Sequence, residues 1–317
     1  MRESRFTIPV FNETLEVSRY LGDLGNTDGN TVIFLGGVHG NETAGVGALN
    51  SVFRHLELIN PTFKGRAVAL IGNLEATRLN QRYIYKDMNR IWNRDTLDDL
   101  HYGRLDTRHT EYAELEAVYN AVKSILDAAT GRVYVIDLHT TSSPTVPFIV
   151  TINADSSLKY SSAFPMPVIS GLNGFLDGTL LSYINELGHV GLAYEAGQHK
   201  STQSLVKHES FIWLCLYQTG VCPDLDPDFI QKHYDILEEE LVTRSDRFKI
   251  ISRYKIKPGE VFKMNQGYTN FQKINAGEEL ATNEAGAICS PYDGYIFMPL
   301  YQPQGEDGFF IIKPETD

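Results

Sequence analysis

Residues 31–37, TVIFLGG, form an unbroken apolar run that ends in two glycines. A strand with one wet face alternates apolar and polar residues, whereas an unbroken run marks a strand covered on both faces, as in the middle of a parallel sheet. Three more segments of this kind follow: RAVALIG at 66–72, RVYVIDL at 132–138 and VGLAYEA at 190–196. Between them, TAGVGALNSVFRH at 43–55 and EYAELEAVYNAVKSILDAA at 111–129 carry helical periodicity. Strands alternating with helices predict an α/β domain with a mixed, largely parallel sheet flanked by helices. Apolar residues make up 42% of the 317-residue chain, enough to fill a core of that size.

The pattern changes after about residue 245. A last helical segment, DFIQKHYDILEEELV, gives way to short apolar stretches separated by the turn signals KPGE (257–260), NAGEE (275–279), NEAG (283–286) and PYDG (291–294). Regular turn spacing without a helical period predicts a small all-β unit. The expected division is therefore 1–245 for the α/β domain and 246–317 for a C-terminal β-barrel or sandwich that covers the active site. AGAICSPYDGYIFMP looks like half of a lipoyl- or biotinyl-type domain. The only Lys-Met pair, Lys263-Met264, lacks the usual flanks, so a structural or pocket-covering role is expected rather than a carrier role.

A net charge of −12 speaks against nucleic acid and against an anionic membrane surface, because both need a basic face. No stretch reaches the roughly 18 apolar residues of a membrane span, and the N-terminal residues show no apolar signal segment. The odd set Cys215, Cys222 and Cys289 fits no thiolate metal spacing and reads as free thiols in a reducing compartment. A cytoplasmic protein acting on a small molecule is the expectation, and the sequence leaves room for a homo-oligomer.

The chemistry concentrates in GGVHGNET at 36–43. His39 and Glu42 follow a buried strand, and Gly36, Gly37 and Gly40 let the backbone turn sharply there. In open α/β sheets, ligands gather outside the carboxyl ends of the strands. His139 stands at such an end too, in RVYVIDLHT. Two histidines and one glutamate suffice for a catalytic Zn2+, one per chain, with a fourth position left for water or substrate. The same donors admit other divalent metals.

Taken together, HGNE, NQRYIYKDMNR and DLHTT resemble the succinylglutamate desuccinylase/aspartoacylase family, which is related to the zinc carboxypeptidases. The resemblance covers most of residues 30–200, and the C-terminal β-unit is similar to the family's. It implies that His39, Glu42 and His139 are the zinc ligands. Arg82 would polarise the scissile carbonyl, Asn89 and Arg90 would grip a substrate carboxylate, and Glu195 would be the catalytic carboxylate. Asp87 matches the acid that orients a ligand histidine in the carboxypeptidases, although a turn-capping role is equally open to it. Asp137, two residues before His139 on one side of a strand, is a second candidate for that orienting role.

The implied reaction is amide hydrolysis of a small N-acyl amino acid by metal-activated water, with Glu195 as general base. Family members that cleave acetylaspartate use a further arginine upstream of the catalytic glutamate. LLSYINELGHVGLAYE has none, so one substrate carboxylate, or a longer acyl group, fits at least as well as two. The polar loop QPQGEDGFF at 302–310, preceded by Tyr301, is expected to reach into the pocket. Tyr83, Tyr85 and Tyr194 read as packing residues, and His189, His199 and His208 as surface or loop residues. Two other readings compete: a zinc carboxypeptidase acting on short peptides, and a metal-binding regulatory module that has lost catalysis. The last would show as loss of Glu195 or Arg82, and both are present.

Overall fold

The computed structural model of the chain describes residues 6–11, 13–152, 155–239 and 247–315. A hairpin of β1 (Phe6–Val10) and β2 (Glu13–Val17) precedes β3 (Tyr20–Gly25) and β4 (Asn30–Gly36). Next come α1 (Thr43–Ile59), β5 (Gly65–Ile71), α2 (Leu74–Arg78), α3 (Arg94–His101), α4 (Thr110–Ala128) and β6 (Val133–Thr141). The middle of the chain supplies β7 (Phe148–Val150), α5 (Asp155–Ser161), β8 (Val168–Ser170), α6 (Leu180–Glu186), β9 (Val190–Gln198), α7 (Thr202–Gln218) and α8 (Pro227–Glu238). Every strand and helix read from the apolar pattern of residues 31–196 is present, within one residue at the starts and four at the ends.

The core strands run in the order β5-β4-β6-β9, all parallel. They read as unbroken apolar runs because both faces are covered. Val32 and Phe34 of β4 face Val52, Phe53 and Leu56 of α1 and the Phe211–Leu216 stretch of α7. Their alternates Ile33 and Leu35 face Leu115, Val118 and Val122 of α4 and Ile184 of α6. Each fully buried Phe or Leu contributes about 1.5–3 kcal/mol, so the two layers clamp the sheet and hold the carboxyl ends of β4, β6 and β9 side by side.

The remaining strands are β10 (Arg247–Lys255), β11 (Lys263–Met264), β12 (Lys273–Ile274), β13 (Glu279–Asn283), β14 (Gly286–Cys289), β15 (Gly294–Phe297) and β16 (Asp307–Pro314). All four turn signals fall between these strands. They pair antiparallel, as β11-β13-β14 in a small sheet and as β12-β15-β16-β10 along a larger one. The larger group continues the central sheet, because β10 lies parallel to β8 with Arg247 opposite Val168. The result is an eleven-stranded sheet, β12-β15-β16-β10-β8-β7-β9-β6-β4-β5-β3. The expected boundary at 245/246 falls within residues 240–246, which lie outside the described residues.

Candidate active site

His39 and Glu42 reach one point because the backbone reverses immediately after β4. Gly37 adopts φ +68°, a left-handed conformation that glycine takes without strain. Gly40 passes so close to α2 that a Cβ there would lie 2.1 Å from the Ala76 carbonyl carbon. Of the three glycines, Gly36 keeps ordinary strand geometry, and its role is close packing against α1. Glu42 stands at the N-cap of α1, yet its carboxylate caps nothing. It turns to His39 Nδ1 (3.0 Å), His139 Nδ1 (3.1 Å) and the Thr140 backbone N–H (2.8 Å).

Parallel pairing of β6 with β9 places His139 directly opposite Glu195. The loop from 80 to 90 closes the other side. Asp87 accepts from the Asn89 backbone N–H at 2.9 Å and lies 3.0 Å from His39 Nε2, so it serves as turn cap and histidine partner at once. Asp137 Oδ2 lies 2.7 Å from His139 Nε2. Both rings therefore show Nε2 to an acid and Nδ1 to Glu42, the orientation in which a metal-binding imidazole is held from behind. Arg82 reaches Asp87 (3.1 Å) and Glu42 (3.4 Å).

His39, Glu42 and His139 offer ligand atoms within 4.8 Å of one another, all buried. Four carboxylates, Glu42, Asp87, Asp137 and Glu195, meet here with Arg82 as the counter-charge alongside the two rings. Burial disfavours the charged form of Glu42, but His39 and His139 outweigh it and hold the carboxyl well below the usual range. Burial likewise opposes charge on His139, and Asp137 and Glu42 override it, raising that ring's proton affinity well above the ordinary value. Burial pushes the Glu195 carboxyl well up, with Glu42 and Asp137 adding to the effect against His139 and Arg82. A cluster that gathers protons in this way is short of positive charge. Nitrogen and carboxylate donors at this spacing fit a divalent cation, which would also draw Glu195 back toward its ionised form.

The residues that the family resemblance assigns to the site come together here. His39, Glu42, Arg82, Asn89, Arg90, His139 and Glu195 line one cleft, and Asp87 stands behind His39. The C-terminal loop does reach the cleft, through Gln302, Gly305, Glu306 and Asp307. Tyr301 does not, since its hydroxyl is held by the Asn265 carbonyl and the Tyr268 N–H in the loop between β11 and β12. His199, read as a surface or loop residue, instead lines the cleft, with Thr140 Oγ1 at 2.7 Å and Gln302 Oε1 at 3.3 Å.

Glu111 is a residue the sequence did not disclose. A carboxylate in the first turn of an amphipathic helix ordinarily faces water, but this one is fully buried. It accepts from the backbone N–H groups of Ile84 (2.7 Å), Tyr85 (2.8 Å) and Lys86 (3.2 Å), and from Asn73 Nδ2 (3.1 Å). It thereby fixes the loop that carries Arg82, Asp87, Asn89 and Arg90. Glu111→Gln exchanges an acceptor for a donor facing those N–H groups. Because a displacement of about 1 Å in positioned groups costs up to about 10²-fold, kcat/KM is expected to fall by about 10- to 100-fold with metal content unchanged. Paired kinetic and metal assays check this, and unaltered kinetics would show that the loop does not depend on Glu111.

Residues 28–208 match the model of the succinylglutamate desuccinylase/aspartoacylase catalytic domain. A succinylglutamate desuccinylase of Photorhabdus laumondii is 33% identical over 117 residues, a match spanning 36% of this chain and 34% of that protein. One from a Shewanella species is 24% identical over 251 residues, or 70% of each chain. The fold also matches the crystal structure of a succinylglutamate desuccinylase/aspartoacylase from Rhodobacter sphaeroides, with a TM-score of 0.69, 18% identity and coverage of 100% of this chain and 96% of that one. With the catalytic-domain match covering more than half of its length, this chain belongs to the succinylglutamate desuccinylase/aspartoacylase family.

Proposed function

We propose that the chain is a zinc-dependent hydrolase that cleaves the amide bond of a small N-acyl amino acid. The observation that carries this reading is the convergence of His39, Glu42 and His139 beside Glu195 in one cleft. Zn2+ bound to those three residues would lower the pKa of a water and polarise the scissile carbonyl.

The protein's own groups supply the rest. Glu195, buried and with Oε2 lacking a hydrogen-bond partner, takes the proton of the attacking water and delivers it to the leaving nitrogen. Arg82, anchored by Asp87 and Glu42, holds positive charge beside the developing oxyanion. Asp87 and Asp137 keep the two imidazoles in one tautomer and one orientation. Asn89 and Arg90 hold the substrate carboxylate. The 302–307 loop narrows the cleft, which favours a small acylated amino acid over a peptide.

The test compares N-acyl amino acids with their methyl esters and with unacylated dipeptides, using metal-loaded protein. Release of the free amino acid from the acids, with the esters at least about tenfold poorer in kcat/KM, is the expected result. Equal kcat/KM on acid and ester would mean that no group reads a carboxylate. Faster turnover of dipeptides would favour the carboxypeptidase reading.

A further inference from the structure

The charges around Arg90 bear on which N-acyl amino acids the site accepts, granted the hydrolase reading above. Asp307, the first residue of β16, sits between two arginines. Its Oδ2 accepts from Arg90 Nη2 at 2.7 Å and its Oδ1 from Arg253 Nε at 2.5 Å. Arg90 Nη1 is occupied by the Asn89 carbonyl and Arg253 Nη1 by the Phe175 carbonyl. The three side chains are only 16%, 14% and 12% exposed for Arg90, Asp307 and Arg253, so this is a largely dry ion cluster.

Asp87 and Glu306 also act on the Arg90 guanidinium, and Arg90 Nε is a buried donor with no partner. Among the described residues lining the cleft, the only other arginine or lysine is Arg82, already engaged by Glu42 and Asp87. Val150, Leu172, Leu176, Leu181, Ala193 and Phe310 line that side of the cleft, and Thr179 is the polar residue among them. Glu306 adds a negative charge at the exposed rim.

We infer that Asp307 is a resident counter-carboxylate on Arg90 that limits the site to N-acyl amino acids bearing one carboxylate on an otherwise apolar body. One substrate carboxylate can take the unpartnered Arg90 Nε–H. A second would have to displace Asp307, leaving that acid buried and unpaired, or lie in the cleft without a free cationic partner. Excluding a competitor through a fixed like charge is a common source of selectivity. Asp307 acts here through Arg90 and through repulsion, as a specificity-determining residue rather than a catalytic one.

The experiment measures kcat and KM of metal-loaded wild type, Asp307→Asn and Asp307→Ala on N-acetyl-leucine, N-acetyl-aspartate and N-succinyl-glutamate. Like-charge placement costs enough that wild type should favour the leucine derivative by at least about tenfold. The variants should shrink that ratio by about the same factor, chiefly through a lower KM for the two compounds with more than one carboxylate. Wild type preferring a substrate with more than one carboxylate, or a ratio that neither variant changes, overturns the inference while leaving the hydrolase reading intact. Calorimetry on wild type with leucine and aspartate needs neither turnover nor a folded variant: tighter leucine binding supports the inference, and tighter aspartate binding overturns it. Hydrolysis of none of the compounds removes the hydrolase reading instead, and the calorimetric comparison then decides the selectivity alone.

Discussion

Glu195→Gln is expected to lower kcat by at least about two orders of magnitude while leaving the metal in place, since a positioned general base contributes about 10²–10⁴-fold. Glutamine preserves the shape of the side chain and removes only its capacity to hold a proton. Nothing else at the site is equally placed for the task. Glu42 is committed to two histidines and a backbone N–H, and Asp87 and Asp137 stand behind the rings. Glu195 faces His139 across the β6–β9 pairing, is buried, and has an oxygen with no partner. Steady-state kinetics and metal analysis on the same preparation check the expectation. A variant turning over at the wild-type rate would mean that another group moves the proton.

His39→Ala is expected to reduce bound metal from about one ion per chain to a small fraction, and turnover with it. Two donors from Glu42 and His139 fall short of the three protein ligands usual in catalytic zinc sites. The variant should also be less stable without metal. His39 stands between Glu42 and Asp87 at 3.0 Å from each, and leaving a buried acceptor unsatisfied typically costs about 1–3 kcal/mol. Calorimetric or chemical unfolding of metal-free wild type and variant measures that part. Elemental analysis measures the other, and undiminished metal content would remove His39 from the proposed ligand set.

The parts of this site that could be read from the sequence are those fixed by strand ends. His39, Glu42, His139 and Glu195 each lie within six residues of an unbroken apolar run, and a parallel sheet brings such ends together whatever the rest of the chain does. Arg82, Asp87, Asn89 and Arg90 became legible only through the family resemblance, because their loop has no periodicity. Glu111 was hidden because burial of a helix-surface carboxylate depends on a loop some twenty-five residues earlier. The bond from Arg90 to Asp307 spans 217 residues, a pairing that no local pattern encodes. His199 was missed for the opposite reason: it lies four residues past Glu195, yet its partners Thr140 and Gln302 come from two other parts of the chain. Continuation of the central sheet into β10 was equally invisible. Turn signals mark where strands stop, but not which edge they extend.

The most direct measurement is amine release from an N-acyl amino acid by wild-type protein stripped of metal with a chelator and then titrated with zinc. Expected are a negligible rate before addition, a rise proportional to added zinc, and a break at about one equivalent per chain, as one three-ligand site requires. Full activity in the metal-free protein, or no activity on any N-acyl amino acid at one bound equivalent, would contradict zinc-dependent hydrolysis.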